Sequence, residues 1–128
     1  MKKISKVLLT AFIFVLLSGT AVFAGTTATM YNTVVARLNG SGYTPYQTKA
    51  YTGYSGVLYS ETVGGGYVVD ARMEGASDGA WIRDVNDWQT RTLPSTSSQT
   101  AGSSIRVQFS NDWNTPVNVY VVGDWKSN

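Results

Sequence analysis

The sequence predicts an all-β domain: a small antiparallel β-sandwich of about seven short strands, with a small β-barrel as the alternative. Three observations carry that prediction. Apolar and polar residues alternate with a period of two in several segments rich in Val, Thr and Tyr. Gly, Asn, Asp and Pro interrupt the chain at short intervals. Nothing after residue 24 needs a helical reading, so the only predicted helix belongs to the leader.

The leader comes first. Lys2, Lys3 and Lys6 precede an apolar run over 7–17 broken only by Thr10, and Ser18-Gly19-Thr20 then loosens the segment. Ala21-Val22-Phe23-Ala24 places small residues where signal peptidase requires them. We therefore expect a cleavable signal peptide over 1–24, a cut between Ala24 and Gly25, and one domain over 25–128. A spanning helix wants about 20 mainly apolar residues. This run is interrupted, and the next basic residue is Arg37. The expected location is outside the cytoplasm, secreted or associated with the envelope. The chain contains no cysteine, which removes disulfides and a lipid anchor at the cut. A cysteine-free exported domain fits a Gram-positive bacterium.

Removing the leader changes the charge. Three of the ten Lys and Arg leave with it and all eight acidic residues stay, so the mature balance is seven against eight, or −1. Net charge then gives no reason to expect nucleic acid or anionic lipid as a partner. All four Trp and all eight Tyr remain, against one of four Phe.

Along the mature chain, residues 27–38 read as a half-buried strand. Ala28, Met30, Val34, Ala36 and Leu38 fall on one face, interrupted by Asn32, and Thr29, Tyr31, Thr33 and Arg37 fall on the other. Asn39-Gly40-Ser41-Gly42 supplies a turn. Residues 57–62 and 67–74 flank Val63-Gly64-Gly65-Gly66 and read as a hairpin, with Tyr67, Val69, Ala71 and Met73 inward. Gly75 to Gly79 should turn, 80–85 and 89–93 are short strand candidates, and the polar stretch 94–104 reads as a mobile loop. Ile105, Val107 and Phe109, then Val117, Val119 and Val121, mark two further strands. The turn formers of 111–116 suggest a second hairpin between them.

The chain has no histidine either, which excludes Ser-His-Asp and Cys-His catalysis and the usual zinc ligands. Carboxylates alone can hydrolyse glycosides. In the first hairpin Glu61 would lie diagonally from Asp70, but Arg72 and Glu74 continue that face and suggest solvent exposure. Asp78, Asp84 and Asp87 invite a calcium reading, yet their spacing is not that of an EF-hand and turn-capping roles suit them better. We expect no metal and no cofactor. Three tryptophans follow an aspartate, in Asp87-Trp88, Asp112-Trp113 and Asp124-Trp125. At a turn, such an aspartate fixes the backbone and presents the ring; in a strand, the ring is buried instead. Tyr43, Tyr46, Tyr51, Tyr54 and Tyr59 crowd a short stretch, a composition that suits recognition surfaces as well as ordinary strands.

These features favour a non-enzymatic binding module whose partner is an envelope glycan or a surface protein. The expected contact residues are Tyr46, Tyr51, Tyr54, Trp88 and Trp113. The alternatives are a secreted toxin or bacteriocin-like effector built on amphipathic strands, and a small glycan hydrolase using Glu61 and Asp70.

Overall fold

The computed structural model describes residues 25–128, so the leader assigned to 1–24 lies outside the described residues. Nine strands form: β1 (Thr29–Val35), β2 (Ser41–Tyr43), β3 (Gln47–Thr48), β4 (Gly56–Val63), β5 (Val69–Glu74), β6 (Ile82–Val85), β7 (Gln89–Leu93), β8 (Ser104–Asn111) and β9 (Val119–Lys126). They make two sheets. One runs β1-β9-β4-β7; the other runs β2-β8-β5-β6, with β3 also paired to β8. All pairings are antiparallel, and the sheets stack as an open sandwich, not a closed barrel.

Alternation accounts for the filling. Val69, Ala71 and Met73 of β5, Ile105, Val107 and Phe109 of β8, and Val119, Val121 and Trp125 of β9 are buried between the sheets. From β4 and β7 come Leu58, Val63 and Leu93. Tyr31 meets Phe109 across the layers, with ring centroids 5.1 Å apart.

Two expectations about pairing are corrected. β4 pairs with β7 and β9, whereas β5 pairs with β6 and β8, so Gly64–Gly66 crosses between sheets and closes no hairpin. The 111–116 connection likewise carries the chain from β8 in one sheet to β9 in the other. Turn-forming residues bend a chain equally well within a sheet or between sheets, and partner choice is decided by which faces must be buried together. Among the described residues, only β5 and β6 are consecutive strands that pair.

The facing of β1 is also reversed. Tyr31 and Val35 are buried, whereas Met30, Val34 and Leu38 are exposed. The reason lies in β9. Tyr31 and Ser60 both oppose Gly123, and the bare Cα of that glycine makes room for the Tyr31 ring. One large ring in a prepared seat outweighs a count of smaller apolar residues.

Burial pushes the Tyr31 phenol well above its ordinary value; Ser60 works against this, while the negative charges of Asp124 and Glu61 add to it. An unfolded tyrosine ionises near its usual value of about 10, and the folded one resists. The stability contribution is therefore intact below about pH 10 and lost as pH rises beyond it. Urea unfolding at pH 8 and pH 11 should show a fall in stability that Tyr31→Phe flattens. An equal fall in both proteins would contradict this.

At the end of the sandwich where β9 leaves the sheet, buried polar side chains replace ladder bonds. Gln47 donates from Nε2 to the Trp125 carbonyl (2.8 Å) and accepts at Oε1 from the Ser127 N–H (3.0 Å). Lys49, only 1% exposed, donates from Nζ to the carbonyls of Tyr54 (2.6 Å), Ser127 (2.9 Å) and Asn128 (3.0 Å). Gln99 donates from Nε2 to the Met73 and Ser77 carbonyls, both at 3.1 Å. The 94–104 stretch, expected to be mobile, is pinned by that buried amide.

Candidate functional site

The candidate site lies on the outer face of the β1-β9-β4-β7 sheet and begins with an irregularity. The β4–β9 register shifts between Ser60 and Thr62, a β-bulge that leaves both Glu61 and Thr62 facing outward. A bulge frees backbone groups from the ladder, and here the β6–β7 turn takes them. The Val63 N–H donates to Asp87 Oδ1 at 2.6 Å, and the Trp88 N–H donates to the Glu61 carbonyl at 3.3 Å. The Asp87 N–H in turn donates to Asn86 Oδ1 at 2.8 Å. The turn is thus fastened to the bulge at two points.

Trp88 occupies this turn with φ +54° and is 79% exposed. A positive φ in a bulky residue is a genuine outlier, with a strain of about 1–3 kcal/mol. Glycine would adopt that backbone without strain, yet here it carries the largest side chain and leaves it in water.

Beside the ring, β4 and β7 align Tyr59 with Thr90, and β4 and β9 align Tyr59 with Asp124. Tyr59, Glu61, Trp88, Gln89, Thr90 and Asp124 line an open groove of about 240 Å³, floored by Ser60. It offers two aromatic rings, two carboxylates, an amide and the hydroxyls of Tyr59 and Thr90. Among the described residues, neither Glu61 nor Asp124 takes part in an ion pair.

The five expected contact residues are all exposed, and of them Trp88 lines this groove. Trp113 sits in the 112–115 turn, where the Thr115 N–H donates to the Asp112 carbonyl at 3.1 Å. Tyr51 and Tyr54 stack at 5.1 Å with their planes tilted by 36°, at the end of the sandwich tied down by Lys49. Tyr46 and Tyr43 bracket the Arg106 guanidinium at 4.9 and 3.9 Å, and Arg106 also pairs with Glu74 at 3.3 Å. Tyr46 further lines an apolar groove of about 380 Å³ with Ala28, Thr29, Met30 and Pro45. The groove residues Tyr59, Thr90 and Asp124 were not among the expected contacts. Their alignment depends on β4 lying between β7 and β9, which a β4–β5 hairpin would have excluded.

The carboxylate expectations change as well. Glu61 and Asp70 lie on different sheets, so the diagonal pair does not exist. Asp78 pairs with Arg72 at 3.4 Å and Asp87 caps the bulge, so the three aspartates read for calcium are dispersed. A different trio, Asp70, Asp84 and Asp112, converges within 4.8 Å. Asp70 there already pairs with Arg83 at 2.6 Å and accepts the Asp84 N–H at 3.1 Å. Trp81 packs under Arg72 and Arg83, at 4.5 and 5.9 Å.

No helix among the described residues is long and apolar enough to cross a membrane. Comparison with family models, with curated proteins and with solved structures found no match to this chain.

Proposed function

We propose that the chain is an exported, non-enzymatic module that binds a glycan of the cell envelope, and that the Trp88–Tyr59 groove is its binding site. The leader features over 1–24 support export. One observation carries the binding reading: an exposed tryptophan held at positive φ by a bulge-anchored turn, with a second ring and several polar groups beside it. Sugars have an apolar C–H face and a polar hydroxyl rim. An aromatic ring receives the first; carboxylates, an amide and hydroxyls receive the second. The flat rings present large contact areas with few rotamers to freeze, which suits recognition. An open groove with both carboxylates exposed suits binding better than hydrolysis, which needs an acid shielded from water.

Titration with envelope polysaccharides, followed by tryptophan fluorescence, tests the proposal. Binding should quench emission, and Trp88→Ala should weaken it by about 2 kcal/mol or more, roughly 30-fold. Trp113→Ala should leave affinity unchanged. Quenching that survives Trp88→Ala, or no response to any wall polymer, would overturn the assignment.

A further inference from the structure

The groove has a charge character that narrows its ligand. Glu61 and Asp124 put two negative charges beside the rings of Trp88 and Tyr59, and among the described residues no basic side chain lines the groove. Two cations stand on the same strands as its lining residues, Arg91 on β7 and Lys126 on β9. Arg91 donates to Gln89 Oε1 (3.2 Å) and to the Arg83 carbonyl (3.0 Å), toward the β6 edge. Lys126 opposes Val57, one outward position along β9 from Asp124. Ring faces are negative at their centres and attract cations, most strongly for tryptophan. A bare ammonium between such rings and two unpaired carboxylates gains from both, whereas a neutral acetamido group gains from neither.

Resting on the glycan reading above, we infer that the groove selects an amino sugar with a free, protonated amine, in a polymer left wholly or partly unacetylated. Alternation and the bulge set this selectivity together. Alternation along β4 places Glu61 outward two positions from Tyr59, which opposes Asp124, and the bulge at Glu61 anchors Trp88 through its backbone.

The test compares glucosamine hexamer with N-acetylglucosamine hexamer by calorimetry and tryptophan quenching, at low and high salt. The free-amine oligomer should bind about tenfold more tightly at low salt, and the gap should shrink as salt screens these exposed charges. The double variant Glu61→Gln, Asp124→Asn should erase the preference and keep weak, Trp88-dependent binding of both oligomers. Both residues are exposed, so the melting temperature of this variant should match the parent. Equal binding of the two hexamers, abolished by Trp88→Ala, would overturn the charge selectivity and leave the glycan reading standing. Binding of neither hexamer, with Trp88 emission unmoved by any wall polymer, would overturn both. Tighter binding of a lysine hexapeptide than of glucosamine hexamer would overturn the sugar assignment in favour of a cationic peptide.

Discussion

Gly123→Ala is expected to lower stability by about 3 kcal/mol or more, the upper range for an overpacked core position. A methyl group at this Cα would run into the Tyr59 carbonyl oxygen and stand 2.7 Å from the Tyr31 hydroxyl oxygen. The first obstacle is backbone, which no rotamer change removes. The second is a buried ring already packed against Phe109. Nor can β9 slide away, because Gly123 is paired on both sides, with Tyr31 on β1 and with Ser60 on β4. For a domain of this size each kcal/mol moves the melting temperature by about 4–8 °C, so a loss on the order of 12–24 °C is expected. A midpoint within 2–3 °C (roughly half a kcal/mol) of the parent would show that Tyr31 has no need of this seat.

Lys49→Ala is the second large effect. The ammonium is buried and its three hydrogen bonds join the Tyr54 carbonyl to the chain beyond β9. Burial pushes its pKa below the ordinary lysine value, since desolvation disfavours the charged form. The three carbonyls act in the opposite sense by binding the charge. Truncation to alanine deletes the stem packing and the donor to the Tyr54 and Ser127 carbonyls. A loss of about 3–5 kcal/mol is expected, a large share of the roughly 5–15 kcal/mol typical of whole domains. Lys49→Met separates the two causes by keeping the stem and deleting the ammonium. If Lys49→Met melts with the parent, the hydrogen bonds are not the anchor.

Strand positions were largely legible because alternation is a local property. Val69, Ala71 and Met73, and likewise Ile105, Val107 and Phe109, face inward as their spacing predicts. Partnership was not legible. Gly64-Gly65-Gly66 would serve a hairpin or a crossing, and only the burial of β4 and β5 in opposite layers decides between them. Tyr31 was hidden for a related reason: the glycine that seats it lies some ninety positions away, on a strand whose pairing must first be known. At the groove, the Asp87-Trp88 doublet suited a presented ring or a buried one, and the turn leaves it exposed. The bulge at Glu61 has no sequence signature. Without it, the company of Trp88 with Tyr59 and Asp124 could not be foreseen.

The most direct measurement is a map of backbone amide shifts in the ¹⁵N-labelled domain as glucosamine hexamer is added. The account predicts that the shifts concentrate on Tyr59, Glu61, Trp88, Gln89, Thr90 and Asp124, together with the Trp88 indole. Tyr51, Tyr54 and Trp113 should stay in place. Shifts confined to the Tyr51–Tyr54 end or to the Tyr46 groove, with Trp88 unmoved, would contradict it.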